Sequence, residues 1–570
     1  MLISLKWLRS LVSCDASPEE IAHRLTMAGL EVEAIEAFHF GLERVVVGSI
    51  QSIKQHPAVE HLQVCKVLGS GDSLEVVCGA PNVAEEQMVP LALDGACLAD
   101  GTEVSSAEIH GVFSQGMLCS EKELGLGGDA SSIMVLDSNL SPGTPLAEAL
   151  ELDDVVLDIG ITPNRGDCLS LVGIAREVAA LFGLPWSLPP ISLKETGPPV
   201  GTLTSVTIED PDLCPRYAAR VVENITIKPS PLWLRHRLEA QGIRAINNIV
   251  DVTNYVMLEL GQPLHAFDYH RLDGNRIVVR RAQPNETFAT LDGQKHELQP
   301  DMLLICDAIQ GVALAGIMGG LDSEIAPDTN TVLIESAHFQ PTGTRRTAKA
   351  LGMSTESSYR FERGVDPEGV LAALDRAAQL MVELGDGELA AGSIDVYPVP
   401  IGQESIQLHV SKTNRFLGTD LTRKEICKHL ESIQLEVRTA EDDLLIVDPP
   451  SFRADLSREV DLMEEVARLA GYDRIPSASP MARLASAKPA QDQVIRQHTK
   501  QLLATHGFCE IVSYSFISPQ SVELLQLEED DPRRRLLPLR NPLSEEQAVM
   551  RTSLVPGMLE TAARNQRQNN

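Results

Sequence analysis

The sequence predicts a multidomain α+β protein, and three observations carry that prediction. At 570 residues the chain exceeds what one hydrophobic core organises, and at roughly one domain per 100 to 200 residues it should hold about four or five. Short apolar runs separated by glycine and aspartate crowd residues 40–150, the pattern of strands joined by tight turns. Elsewhere such runs alternate with stretches of helical spacing that start at Ser or Thr and stop at Gly.

Residues 1–39 combine a strand-like LISL, a helix start at Ser17-Pro18-Glu19-Glu20 and the alternating LEVEAIE. This is half of a small α/β unit. Its other half is expected at 151–190, where VVLDIGI reads as a strand and Leu169 to Gly183 as a glycine-stopped helix. The intervening 40–150, with strand candidates VVVGSI, LQVCKV, LEVVC, MVPLAL and IMVLD, is expected to be a small β-barrel inserted between them. Residues 187–203 are rich in proline and glycine and read as a linker. A large α+β region follows at 205–400, then a compact α/β region at 403–477 with a helix over Leu421 to Leu430. The last region, 486–570, opens with a helix from Gln491 to His506 and a strand-like CEIVSYSFIS.

Charge narrows the function classes. Forty-eight Lys and Arg against 80 Asp and Glu leave a net −32, which excludes a protein that coats nucleic acid through overall charge, though not a local basic surface. Ten cysteines without a CxxC spacing predict reduced thiols, a cytoplasmic setting and no zinc site. The start MLISLKWLRSLV is interrupted by Lys6 and Arg9, and the most apolar window, VALAGIMGGL, is about half a membrane span. A soluble protein is expected.

The densest chemistry lies in NNIVDVTNYVMLELGQPLHAFD, residues 247–268. Asn247, Asn248, Thr253, Asn254 and Gln262 can orient a ligand, the aliphatic residues between them supply apolar wall, and His265 can exchange a proton near neutral pH. Taken alone, the stretch reads first as a buried helix whose asparagines satisfy backbone groups and whose histidine is a core residue. Downstream, the glycines of Ala315-Gly316-Ile317-Met318-Gly319-Gly320 permit close backbone approach, and Glu335 ends the strand-like TVLIES. Arg345, Arg346, Lys349, Arg360 and Arg363 form a basic cluster suited either to phosphates or to salt bridges with Glu356 and Glu362. Asp461, Glu464 and Glu465 share a helical face with Asp455 just upstream, either a solvated acidic face or ligands for a hard cation.

Two sets of phrases resemble known families. HPAVEHLQVCKV, VCGAPNV and SQGMLCSEKELGL resemble the tRNA-binding OB-type module, and the whole chain resembles the beta subunit of bacterial phenylalanyl-tRNA synthetase through NNIVDVTNYVMLELGQPLHAFD, AGIMGG, ESSYRFERGVD and DLMEEVARLAGYD. The resemblance implies a split N-terminal α/β unit with an inserted OB-type β-barrel, a large α+β editing region, a small α/β domain and a partial class II synthetase-like antiparallel α+β module. It also implies a two-alpha, two-beta enzyme that activates phenylalanine with ATP on the alpha subunit and attaches it to tRNA(Phe), while the beta chain hydrolyses mischarged Tyr-tRNA. An apolar pocket rejects one added hydroxyl only by about a hundredfold, so a second, hydrolytic site is physically useful. By the same resemblance the editing residues fall at Thr253, Asn254, His265, Ala315, Gly316, Gly319 and Glu335, with the Glu335 carboxylate reading the tyrosine hydroxyl. A Mg²⁺ site associated with the alpha subunit falls at Asp455, Asp461, Glu464 and Glu465. Relative to the family the chain is expected to lack a C-terminal anticodon-binding domain. The competing expectations are a noncatalytic tRNA-binding or assembly subunit and a freestanding trans-editing hydrolase.

Overall fold

The computed structural model describes residues 1–38, 41–69, 71–477 and 488–568. The chain divides into two compact units, Met1–Ser477 and Ala478–Asn570. The expected junctions at 39–40 and between 477 and 486 fall on or against residues outside that description.

Local chemistry sets the first elements. The Ser17 hydroxyl accepts the Glu20 N–H at the start of the helix Pro18–Met27, and Pro18 sits in the first turn, where its missing N–H has no partner to lose. The helix Leu171–Phe182 is capped by Ser170 and stopped by Gly183 at φ 67°, the left-handed conformation. Both share a core with a three-stranded antiparallel sheet in which Asp154–Gly160 lies between Leu2–Ser4 and Glu31–Phe38. Segments from either side of the intervening region thus complete one sheet.

Between them stands a five-stranded antiparallel sheet, in the order Ser73–Cys78, Gln63–Leu68, Val45–Gln55, Met88–Leu93, Gly116–Leu118. Gln115 donates its N–H to the Glu75 carbonyl at 2.9 Å and accepts the Glu75 N–H on its side chain at 3.1 Å, so the two sheet edges nearly meet as a barrel. The expected strand IMVLD contributes only a bridge from Leu136 to Met88.

The region that carries the site is built on two sheets. One orders Glu195–Pro199, Glu388–Ala391, Arg216–Glu223, Val332–His338 and Leu264–Asp268, with Ile394–Val396 also paired to Arg216–Glu223. Side chains alternate across it. Ala218, Ala266 and Ile334 pack with the helices Asn248–Leu260 and Val370–Gly385. Ala219, Phe267 and Leu333 point the other way, onto a second sheet that includes Arg276–Arg281, Leu303–Cys306 and Gly311–Leu314. The stretch expected to be a linker is partly ordered into this fold. Glu195–Pro199 pairs parallel with Glu388–Ala391, and Glu195 takes a 2.8 Å hydrogen bond from Arg220.

Residues Ile406–His409, Leu444–Asp448 and Glu436–Thr439 form a smaller sheet covered by two helices. Thr422 and Glu425 cap one of them reciprocally, which moves its start from the expected Leu421 to Arg423. The other, Glu459–Ala470, is joined to Leu171–Phe182 by buried charges: Arg468 donates to Glu177 at 2.6 and 3.0 Å and to Glu465 at 2.9 Å. Arg165 donates to the same Glu177 at 2.6 Å and to Asp167 at 2.9 Å.

In the second unit the strand expected over CEIVSYSFIS shrinks to Phe516–Ile517, in a three-stranded sheet with Val549–Met550 and Leu537–Pro538. The helices Gln491–Thr505 and Val555–Arg567 accompany it. Its buried cluster is small, built on Ile517, Val522 and Val549.

All ten cysteines are free thiols. Among the described residues no helix is long and apolar enough to cross a membrane.

Candidate functional site

His265 and Glu335 are brought together by strand register. Leu264–Asp268 and Val332–His338 run antiparallel with His265 directly opposite Glu335, so both side chains leave the same face of the sheet. They line a cavity containing about 390 Å³ of empty space, open solvent included, between this sheet and the second one. Ile305 and Ala313 form part of its apolar floor, and Phe361 and Ser357 close it from the helix Glu356–Phe361. The Thr355 hydroxyl, which caps that helix, also donates to the Ile317 carbonyl at 2.9 Å and ties the glycine-rich turn to it.

Two glycines in that turn are required by geometry. Gly316 has φ 71°, and a Cβ there would stand 3.0 Å from both Phe339 and Phe361. Gly319 has no such backbone demand, but its Cβ would lie 2.5 Å from His265 Cε1 and 2.8 Å from Nε2. The imidazole therefore occupies the space that a side chain at 319 would fill, packed edge-on to Phe267 at 4.5 Å between ring centroids.

The electrostatics of this pair follow from burial without a counter-charge. Burial pushes the Glu335 carboxyl up to about 8, opposed only by the Tyr217 hydroxyl, which donates to Oε2 at 3.1 Å. Burial also lowers His265 to about 4. At neutral pH both groups are therefore mainly uncharged. Burial thus favours the neutral acid at Glu335 over the expected carboxylate, and one oxygen already serves Tyr217. Tyr217 itself was missed in the sequence because it lies 118 residues away in the chain, on a strand whose pairing no local pattern announces.

The remaining expected residues are placed differently. Thr253 and Asn254 do not line the cavity: their helix packs on the opposite face of the sheet, and the Thr253 hydroxyl donates to the Val250 carbonyl at 2.7 Å. Ala315 also lies outside the lining. Its N–H bonds to the Leu303 carbonyl and its methyl joins the core between the sheets. Gly316 and Gly319 stand in the lining with His265 and Glu335. Asn247 caps its helix, and Asn248 bonds three backbone groups, at Lys228, Thr226 and Leu384.

The basic cluster separates into two parts. Arg360 is buried, bonded to Glu356 at 2.6 Å and to the Leu169 carbonyl, and Arg363 pairs with Glu362 while lying over the Tyr359 ring at 3.4 Å. Arg345, Arg346 and Lys349 are exposed on the helix Pro341–Leu351.

The expected magnesium ligands do not converge. Arg453 holds Asp455 at 2.9 and 2.8 Å and Glu465 at 2.9 Å, Asp461 accepts from the Arg458 side chain and N–H at 2.8 Å each, and Glu464 is exposed. Guanidinium groups supply the charge that a cation was expected to supply. Among the described residues, the cluster whose ligating atoms lie within 4.8 Å of one another is Asp167, Cys168 and Glu177, and Arg165 already occupies it. The donor set at 455–465 thus does not fit a metal ion as this chain arranges it.

Comparison with known proteins places these features in a family. Residues 213–386, which hold the cavity, match the B3/4 domain, 45–145 match a tRNA binding domain, 406–472 the tRNA synthetase B5 domain and 475–570 the phenylalanyl tRNA synthetase beta chain CLM domain. The chain is 46% identical over 568 residues to the phenylalanine-tRNA ligase beta subunit of Syntrophus aciditrophicus, covering 99% of this chain and 71% of that protein. It is 48% identical over 571 residues to the one from Moorella thermoacetica, with the same coverage. The chain belongs to the phenylalanine-tRNA ligase beta subunit family. An N-terminal fragment of the phenylalanyl-tRNA synthetase beta subunit from Pyrococcus horikoshii overlays 82% of this chain and 99% of its own at 14% identity, with a TM-score of 0.36, too loose to bear on the fold. Family membership accounts for the barrel, the two-sheet region and the capped helical domain occurring in this order.

Proposed function

We propose that this chain is the beta subunit of a phenylalanine-tRNA ligase and that its two-sheet region hydrolyses mischarged Tyr-tRNA. The observation that carries the reading is the pairing of His265 and Glu335 across adjacent strands, at a cavity whose remaining walls, Ser357 apart, are apolar or glycine. An aromatic side chain fits apolar walls, and the one polar group deep among them, Glu335, can meet a phenolic hydroxyl as donor or acceptor because it is mainly protonated. Phenylalanine offers no such partner.

In the hydrolysis, water oxygen bonds to the ester carbonyl carbon, the bond to the ribose oxygen breaks, and that oxygen leaves with a proton. His265, held near 4 by burial, is a weak base at neutral pH, so its service is to orient water or ester by hydrogen bonding rather than to store the proton. Gly316 and Gly319 keep the turn close to the reacting end. Thr253, Asn254 and Ala315 are assigned to supporting this architecture, not to contact.

The same reading makes 40–150 a tRNA-binding OB-type barrel, 1–39 with 151–190 a split α/β unit, 205–400 the editing region, 403–477 a small α/β domain and 486–570 a partial class II synthetase-like module. An alpha subunit would carry aminoacylation with ATP and complete a two-alpha, two-beta assembly on tRNA(Phe), in the cytoplasm. Arg345, Arg346 and Lys349 are a candidate phosphate path.

The decisive experiment is deacylation of Tyr-tRNA(Phe) by the chain with and without an alpha subunit. His265→Ala and Glu335→Ala should each slow clearance at least tenfold while Phe-tRNA(Phe) synthesis by the assembled enzyme persists. Unchanged clearance in both variants would remove His265 and Glu335 from the site, tRNA binding without any clearance would return the chain to a tRNA-binding or assembly role, and full clearance without alpha would make it a freestanding hydrolase.

A further inference from the structure

Tyr217 lies outside the lining of the His265 cavity, yet its hydroxyl stands 3.1 Å from Glu335 Oε2. Register explains the contact. In the antiparallel pairing of Arg216–Glu223 with Val332–His338, Tyr217 is opposite Ala337 and Ala219 is opposite Glu335, so Tyr217 and Glu335 are diagonal neighbours on one side of the sheet. The Tyr217 side chain is fully buried, in the core between the two sheets that also holds Phe267, Phe339 and Phe361. Its hydroxyl therefore has a fixed place.

That place decides where the protons lie. Burial and the neighbouring acid push the phenol pKa well above its usual 10, so the hydroxyl keeps its proton. Among the described residues, Glu335 Oε2 is its one hydrogen-bond partner. Were the acid to donate from Oε2 instead, the phenol proton would be left unmet in an apolar core, which buried donors rarely tolerate. Tyr217 thus donates, Oε2 is the carbonyl oxygen of the neutral acid, and the carboxyl proton sits on Oε1. Oε1 has no partner among the described residues and is not one of the enclosed side-chain atoms left without one, so it keeps open surface where Glu335 lines the cavity.

We infer that Tyr217 is a positioning residue that makes Glu335 a hydrogen-bond donor toward the cavity, so that the site recognises a tyrosine hydroxyl by its oxygen lone pair rather than by its proton. The inference rests on the proposed hydrolysis of Tyr-tRNA and narrows its substrate class to aromatic aminoacyl esters with a hydrogen-bond acceptor at the para position. A phenylalanyl ester leaves the Oε1 proton unmet. A para amino group fares little better, because it turns N–H donors and only a weak lone pair toward an O–H donor.

The test is deacylation, by the chain assembled with an alpha subunit, of tRNA(Phe) charged with tyrosine or with 4-aminophenylalanine. It is run at about pH 6.5, where an acid whose pKa is about 8 is protonated. The unsubstituted chain should clear the tyrosyl ester at least about tenfold faster than the aminophenylalanyl ester. Tyr217→Phe keeps the ring but frees the acid to present either oxygen, so it should narrow that preference to about threefold or less, whereas a merely structural Tyr217 would slow both esters alike. Glu335→Gln should restore at least about tenfold of the tyrosyl clearance lost in Glu335→Ala, because its amide oxygen takes the Tyr217 hydroxyl and its NH2 stands where the acid O–H stood. Equal clearance of the two esters by the unsubstituted chain, an unchanged preference in Tyr217→Phe, or Glu335→Gln as slow as a slow Glu335→Ala would each overturn the donor assignment while leaving the hydrolysis standing. Full clearance in Glu335→Ala would overturn both together.

Discussion

The chain buries carboxylates in two places with opposite results. Between the helices Leu171–Phe182 and Glu459–Ala470, Glu177 and Glu465 are each held by two arginines, and Arg468 leads the charges that hold both pKa values below the usual range despite burial. Asp167, beside Arg165, is brought down to about 2 against the same desolvation. Glu335 is as deeply placed but has only the Tyr217 hydroxyl, and it rises to about 8. Burial is common to both. The counter-charge decides whether a buried acid serves as a charged joint between helices or as a neutral, tunable group in a cavity.

The sharpest way to break this comparison is to remove one charge from each place. Arg468→Met takes one of two arginines from both Glu177 and Glu465, leaves the buried cluster with an uncompensated negative charge, and should destabilise the first unit by about 3–5 kcal/mol, whereas Glu335→Gln replaces a neutral acid by a neutral amide and should change stability at pH 6 by less than about 1 kcal/mol. Denaturant unfolding of both variants checks the contrast, and equal losses would dissolve it.

A pH titration sharpens it. The folded-state pKa of Glu335 lies above its ordinary 4.5, so the unfolded chain gives up that proton first. Stability should then fall as pH rises from about 4.5 to about 8, a slope that Glu335→Gln removes, with a difference of order 2 kcal/mol, below the ceiling of about 1.4 per pKa unit. His265 acts on the acid side: lowered from 6.5 to about 4, it withdraws stability as pH falls through that interval. Asp167, lowered from 3.8 to about 2, contributes stability above 3.8 that disappears as pH drops through about 2. Unfolding free energies from pH 2 to 9 for the chain and Glu335→Gln would test these signs.

A small expected change in stability, with a large change in clearance, belongs to Gly319→Ala. The added methyl must displace the His265 ring, which touches its position at 2.5 Å. Overpacking there should cost about 1 kcal/mol, while the shifted imidazole should slow Tyr-tRNA clearance by up to about a hundredfold. Clearance that survives this substitution would show that ring position does not matter.

What the sequence disclosed, and what it withheld, divides along chain separation. The Ser17 and Thr422 caps and the Gly183 stop were readable because each is local. The five-stranded sheet was foreshadowed by its alternating runs, though IMVLD shows that an apolar run near a sheet need not join it. The segment around His265, the glycine turn and Glu335 could be singled out by composition and resemblance, but their meeting depends on a register between strands about seventy residues apart. Thr253 and Asn254 misled because a helix that continues into a site strand can still pack on that strand's other face. The acidic helix stayed open to two readings for a related reason: spacing shows where carboxylates fall along one helix, whereas Arg453 reaches Glu465 from the preceding loop.

The three-stranded sheet of the first unit bears on how the chain is made. Glu31–Phe38 and Leu2–Ser4 pair with Asp154–Gly160, while every strand of the barrel between them is complete once residue 118 has emerged. On a ribosome adding about 5–20 residues per second, the barrel can close while those earlier strands stand with open edges for several seconds. A nascent-chain binder that shields Glu31–Phe38 during that interval would find its target released when the strand at 154–160 arrives, so the order of synthesis itself leaves this segment exposed to misassembly.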